Sequence, residues 1–322
     1  MNEALLPVMK AAPAAEAAGV YATVDQLARL RYRSRGFSFL PRQPVHSILA
    51  GRHASRLRGR GLNFEEIRRY LPGDDIRQMD WKVTARTRVP HVRVYTEEHG
   101  RPALLVVDQR LAMFFGSRKD FKSVSAAEVA ALAAWRVIAM KDVVGAIIVG
   151  DADCEVVPTG GSEGHVMRLL GRVVDWNRRL SLDAGITPGP QMLNAALRRA
   201  EQIAKHDALV ILISDGSGAD EETSKRLSRI ARHNDVMVAL VSDPLEMDLP
   251  DAGPRIFASG EMQLEADTGK RALREAFRKD FEQQVETARK FLIQREVPLM
   301  PIRTDEDVAM QVRRLLGQRS SR

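Results

Sequence analysis

A single cysteine, Cys154, is all the chain contains, so no disulfide can form within it. That fits a reducing compartment, and a buried, inert thiol is the expected state of Cys154. Long apolar runs are also missing. The longest, at 143–149 and 208–213, are strand-sized and fall far short of the roughly 20 residues a membrane span needs. The start, MNEALLPVMKAAPAAEAAG, lacks a basic stretch ahead of a long apolar core, so it does not read as a signal peptide. Aromatic residues make up only 5% of the chain, which leaves little for base stacking. No Gly-x-Ser-x-Gly, Walker A loop or zinc-type Cys/His cluster is present, and the seven histidines are scattered. The usual carriers of acyl transfer, ATP hydrolysis and zinc chemistry are therefore absent. These absences together lead us to expect a cytoplasmic protein with no catalytic residues of its own.

What is present is an uneven charge. Residues 29–101 hold sixteen arginines and one lysine against seven acids, a local excess of ten positive charges. The whole chain of 322 residues carries only +7, so the rest is slightly acidic. In "RLRYRSRG", arginines alternate at 29, 31, 33 and 35 around Tyr32. Such a stripe suits phosphates, an acidic partner or an anionic membrane surface. No nucleic-acid motif accompanies it, so nucleic-acid binding is kept only as an alternative.

Residues 1–57 read as an Arg-rich N-terminal region, flexible except for a short helix over 23–33. Residues 34–62 are rich in Arg, Gly, Pro and Ser and read as irregular. Residues 58–100 form a small β-rich segment, with a turn at 72–75 and an alternating run from Val89 to Tyr95. From 101 to 318 the pattern becomes α/β. Strands are expected at 103–107, 143–149, 208–213 and 236–241, with an antiparallel return at 154–157. Helices are expected at 123–140, 163–180, 189–205, 220–233, 268–294 and 305–317. Uniformly apolar strands alternating with helices imply a mostly parallel sheet covered on both faces.

Three of these strands end in a carboxylate: "LLVVD" at Asp108, "VILISD" at Asp215 and "VALVSD" at Asp243. Ligands of open α/β sheets bind beyond the carboxyl ends of strands, where the strand order reverses. If the strands bearing Asp108 and Asp215 are neighbours there, the two face one crevice. Thr187, ahead of a helix, adds a hydroxyl. Two aspartates and a threonine make a hard-oxygen set suited to magnesium. Asp and Ser are equally common as helix caps and turn residues at strand ends. In "VVDQRL" the second carboxylate of a strand-end phosphatase is missing, because Arg110 stands in its place.

The stretch from Ile67 to Glu98, "IRRYLPGDDIRQMDWKVTARTRVPHVRVYTEE", resembles the signature of the domain of unknown function 58 family. Arg69, Tyr70, Pro72, Gly73, Asp74, Asp75, Arg77, Asp80, Trp81, Ala85 and Arg86 stand in the family's order. The α/β region after it resembles a von Willebrand factor type A domain. Together the two cover about residues 58–318. The resemblance implies a Rossmann-like type A fold behind a small β segment. It also implies a partnership with a MoxR-type AAA+ ATPase in maturing or remodelling client complexes, with no established enzymatic activity.

Type A domains often carry a metal-ion-dependent adhesion site whose first motif is Asp-x-Ser-x-Ser. Here Asp108 matches its first residue, Thr187 the later threonine and Asp215 the last aspartate. Arg110 and Ala112 replace the two serines. Alanine offers no ligand, and arginine is a permanent cation with no acceptor. The site is therefore expected to be degenerate, with no cofactor and Mg2+ only as an alternative. A salt bridge from Arg110 to Asp108 or Asp215 is expected in its place. Two expectations concern the signature itself. Its mixture of Asp74, Asp75, Asp80, Arg77 and Arg86 is read as an internal network holding the β segment to the main domain. Trp81 is read as a packing residue in a strand. The function expected is a non-enzymatic protein-interaction module using the strand-end face. A magnesium-dependent enzyme acting on phosphate groups is the alternative.

Overall fold

Alternate residues of each central strand point to opposite faces, and here both faces are apolar. That pattern produces a sheet with helices on either side. The computed structural model describes residues 19–37, 39, 59–72, 74–98, 102–259, 262–293 and 297–317. A short helix α1 (Val24–Arg29) opens the described chain, its Thr23 side chain accepting from the Gln26 N–H. Strand β1 (Gly59–Arg69), helix α2 (Trp81–Thr87) and strand β2 (His91–Glu98) follow. Then come β3 (Pro102–Asp108), α3 (Lys122–Ala139), β4 (Val143–Val149) and β5 (Cys154–Gly160). After these come α4 (Glu163–Asn177), α5 (Met192–Ile203), β6 (Leu209–Ser214) and α6 (Glu221–Ala231). The chain continues through β7 (Asp235–Ser242), α7 (Pro244–Met247) and the antiparallel pair β8 (Pro254–Ser259) and β9 (Met262–Asp267). It closes with α8 (Arg271–Ile293), β10 (Leu299–Arg303) and α9 (Val308–Leu316).

The central sheet has six strands in the order β10-β7-β6-β3-β4-β5. All its pairings are parallel except β4 with β5, which is the antiparallel return that the sequence predicts. On one face Leu105, Val107, Ile148 and Ile211 pack with Val124, Leu132, Leu169 and Val312. On the other, Leu104, Val106, Ile147 and Val210 pack with Leu193, Leu197, Leu227 and Ile230. Each fully buried aliphatic side chain contributes about 1.5–3 kcal/mol. The order places β3 between β4 and β6, so the carboxyl ends of β3 and β6 lie side by side. The strands that lead to Asp108 and Asp215 are therefore neighbours, as the expected crevice requires.

Strands β1 and β2 make a separate two-stranded antiparallel sheet, with Arg69 opposite His91. Several expectations change in this part and in the last third. Residues 59–62 were read as irregular but belong to β1. Trp81 opens a helix rather than lying in a strand, because Asp80 accepts from the Val83 N–H at 3.0 Å and caps it. It is 67% exposed, so it is not a packing residue. The β8–β9 pair and the edge strand β10 have no counterpart in the pattern read from the sequence.

Candidate functional site

Asp108 ends β3 fully buried, and it is completely satisfied by groups of this chain. Arg110 folds back on it with two hydrogen bonds, from Nε to Oδ1 at 2.9 Å and from Nη2 to Oδ2 at 2.6 Å. The Arg110 N–H adds a third at 3.1 Å, and Ser214 Oγ donates a fourth at 2.6 Å. The guanidinium is itself only 1% exposed. Its remaining N–H groups donate to the Pro190 carbonyl at 3.1 Å and the Ser217 carbonyl at 2.9 Å. One planar cation thus joins three segments: the loop after β3, the loop before α5 and the loop after β6. The fork geometry of arginine suits this; a lysine has no such plane.

Asp215 is held by a second internal cation. Lys122 Nζ donates to its Oδ2 at 2.7 Å and also to Glu246. Lys122 is buried, with the Phe115 ring 5.8 Å from its Nζ. Of the two partners expected for Arg110, Asp108 is therefore the one used, and Asp215 pairs with a residue that the sequence reading passed over. The first turn of a helix is a poor place for a cation, because the helix dipole is positive there. Lys122 is the first residue of α3. That misfit was the available signal that a carboxylate waits for it.

Burial works against both charges, and the neighbouring carboxylates outweigh it. For Arg110 the opposing pull comes from Asp108, then Asp215 and Asp151, and its pKa is raised. For Lys122 it comes from Asp215 and Glu246, again raising the pKa. Both side chains stay cationic.

The loops around this pair are tied down by further groups. Asp151, after β4, accepts from the Leu111 N–H at 2.6 Å and the Gly189 N–H at 2.9 Å. A Cβ on Gly189 would lie 1.9 Å from the Asp151 carbonyl oxygen, so the close approach needs glycine. Gly216 takes a positive φ of 77°, as the sharp turn after Asp215 requires. The third strand-end carboxylate, Asp243, is also buried and fully used. It accepts from Thr304 Oγ1 at 2.6 Å, the Ser117 N–H at 2.9 Å and the Leu245 N–H at 2.9 Å. It is a helix cap and a tie to the chain end, not a ligand donor.

These residues do not fit a divalent cation. Both oxygens of Asp108 are taken by Arg110 and Ser214, and Asp215 is taken by Lys122. Ala112 and Thr187 are exposed. Among the described residues no group of three or more His, Cys, Asp or Glu is placed to hold a metal. Magnesium wants near-octahedral oxygen ligands, and here it would first have to displace a buried guanidinium and a buried ammonium. Cys154 is buried and its pKa is raised by burial, which leaves it as an unreactive thiol.

The signature residues form a second, separate cluster at one end of the β1–β2 ribbon. Asp74 accepts both guanidinium arms of Arg68 at 2.7 and 2.8 Å and the Leu71 N–H at 2.8 Å. Asp75 accepts from the Arg77 N–H at 2.9 Å. Asp80, buried, caps α2. The Tyr70 N–H donates to Pro90 and the Asp80 N–H to His91, which folds residues 70–80 back onto β2. Among the described residues these bonds join parts of the ribbon to one another, and Arg68 supplies the cation that pairs with Asp74. Arg69, Arg77 and Arg86 are exposed, and Gly73 lies outside the described residues.

The Arg-rich stripe at 29–35 is also used internally. Arg29 pairs with Asp25, Arg31 with Glu163, and Arg33 with Asp307 at 2.7 Å. Together with the Tyr21 hydroxyl on the Leu180 carbonyl and the Ala22 N–H on Asn177, the Arg31 and Arg33 pairs fasten the first described segment to the α/β domain. Most of residues 40–60, the other part of the basic region, lies outside the described residues. No helix among the described residues is long and apolar enough to cross a membrane.

Comparison with known proteins gives one family match. The model of the family described as "Protein of unknown function DUF58" matches residues 66–287. Proteins of Mycobacterium bovis and Mycobacterium tuberculosis, both described as uncharacterised, are 29% identical over 283 residues, which is 86% of this chain and 86% of each of theirs. Among solved structures, the conserved hypothetical protein BatB from Bacteroides thetaiotaomicron superposes with a TM-score of 0.38 at 13% identity. That covers 66% of this chain and 94% of that one. An aerotolerance-related membrane protein from Bacteroides fragilis gives a TM-score of 0.38 at 14% identity, over 67% and 96%.

Proposed function

This chain belongs to the DUF58 family of proteins of unknown function, and from that premise we propose that it is a non-enzymatic protein-interaction module. It acts with a MoxR-type AAA+ ATPase in the assembly, maturation or remodelling of client complexes. One observation carries the first half of this reading. The crevice where an α/β sheet would place its chemistry is closed by the chain's own cations, Arg110 on Asp108 and Lys122 on Asp215. Among the described residues, the three strand-end carboxylates Asp108, Asp215 and Asp243 are all engaged within the chain. What a strand-end face whose carboxylates are engaged internally can still offer is a shape for another protein to bind. The ATPase half rests on the resemblance of residues 67–98 to the family signature.

The test is direct. Purified chain and the MoxR-type ATPase of the same genome are mixed with and without ATP and separated by size. A complex that responds to nucleotide is the expected result. Two separate peaks under both conditions would sink the proposal.

A further inference from the structure

Exposed large apolar side chains are scattered over this molecule, but three of them fall within eleven residues at one end of the β1–β2 ribbon. Leu71 is 59% exposed, Ile76 61% and Trp81 67%. The backbone bonds from Tyr70 to Pro90 and from Asp80 to His91, with the bridge between Met79 and Val92, bring this loop back to a single place on β2. The three side chains therefore sit at the same end of the ribbon. They are interleaved with exposed cations, Arg77, Lys82 and Arg86 among them.

The acids of the same segment are outnumbered by its cations, three against six over residues 68–88, and all three have partners within the loop. Asp74 is taken by Arg68 and the Leu71 N–H, Asp75 by the Arg77 N–H, and Asp80 by the start of α2. All three serve to fold the loop. What this stretch exposes is Trp81 with Leu71 and Ile76, interspersed with Arg77, Lys82 and Arg86. Aromatic and Arg side chains are what interfaces concentrate at their energetic centres. Arginine outnumbers lysine here, and its fork pairs with carboxylates two bonds at a time.

We infer that this end of the ribbon is a docking surface for an acidic, partly apolar segment of a protein partner. Leu71, Ile76 and Trp81 receive its apolar side chains. Arg77, Lys82 and Arg86 pair with its carboxylates. The inference builds on the reading of the chain as an interaction module, and it places the partner contact away from the strand-end crevice, whose cations are buried.

The probe is a fluorescein-labelled peptide alternating glutamate with leucine, titrated onto the full chain and followed by anisotropy. Saturable binding that weakens as salt rises is expected, because the pairs are at the surface. Trp81→Ala should weaken it at least about tenfold, as should Arg77→Glu combined with Arg86→Glu. Leu182→Ala, at an exposed apolar residue elsewhere, should change nothing. Thermal melting of each variant should match the wild type, which separates lost docking from lost folding. The inference is overturned if the peptide does not bind, or if the variants bind it as the wild type does. It is also overturned if the same peptide with lysine for glutamate binds equally, or if Trp81→Ala affects only binding to phosphatidylserine vesicles. The two proposals fail separately. Peptide binding without an ATPase complex would remove the ATPase partnership and leave this surface standing. An ATPase complex indifferent to Trp81, with no peptide binding, would do the reverse.

Discussion

The strand-end crevice and the end of the β1–β2 ribbon are built from the same residue types and use them in opposite ways. In the crevice, cations and carboxylates are buried and spent on each other, as in Arg110 with Asp108 and Lys122 with Asp215. At the ribbon end, Asp74 pairs with Arg68 while Asp75 and Asp80 serve backbone and cap, and Arg77, Lys82, Arg86 and a tryptophan are left outside. A motif of charged residues therefore says little until each charge has been followed to its partner. The first region encloses its charges; the second leaves Trp81 and several cations at the surface.

That contrast predicts very different costs for mutations in the two places. The largest effect is expected at Arg110. Arg110→Ala leaves a buried, uncompensated carboxylate and should destabilise by about 3–5 kcal/mol. Replacing both partners, as Arg110→Met with Asp108→Leu, should recover much of that loss, because the orphaned charge goes with its partner. Denaturant unfolding of the single and double variants checks it, and equal losses in both would break the account of the crevice.

A smaller effect, opposite in sign, is expected at Glu128 on α3. Burial raises its pKa, against the hydrogen bond from Gln26 Nε2 at 2.7 Å. A carboxyl whose folded pKa lies above its unfolded value holds its proton longer when folded. Its contribution is thus present at low pH, and it is lost as pH rises from the unfolded value of 4.5 through the raised folded value. Glu128→Gln keeps an acceptor for Gln26 and removes the buried charge. The variant should melt higher than wild type at neutral pH, with the gap closing in acid. A gap that is constant with pH would contradict this cause.

Smaller again is the Arg33–Asp307 pair, which is partly exposed. Arg33→Ala should cost no more than about 1 kcal/mol, and less in high salt. The pair holds the Asp307 carboxyl below its usual range, so its contribution should vanish as pH falls through that lowered pKa. Least of all is Trp81→Ala, expected within about 0.5 kcal/mol of wild type by thermal melting. A large loss there would mean that Trp81 is a packing residue after all.

The α/β core was readable because its strands are uniformly apolar and its helices periodic, so β3, β4, β6 and β7 fall within a residue or so of where the pattern puts them. β10 was hidden because Pro301 and Arg303 interrupt its run at an edge of the sheet, where a strand may hold a proline and an exposed charge. The Trp81 helix was hidden because a seven-residue helix has too few turns to show a period, and its cap, Asp80, also suits a loop. At the site, Arg110 beside Asp108 could be foreseen, since two residues of separation allow the side chain to fold back. Lys122 on Asp215 could not be read from spacing, since the two are 93 positions apart. Only its discord with the helix dipole hinted at it.

The central claim is that the chain's own cations occupy the strand-end carboxylates, leaving them unable to hold a metal. Calorimetric titration of the full chain with millimolar magnesium tests it most directly. The account predicts no binding heat, in wild type and in Asp108→Ala alike. Saturable binding by the wild type that Asp108→Ala abolishes would contradict it.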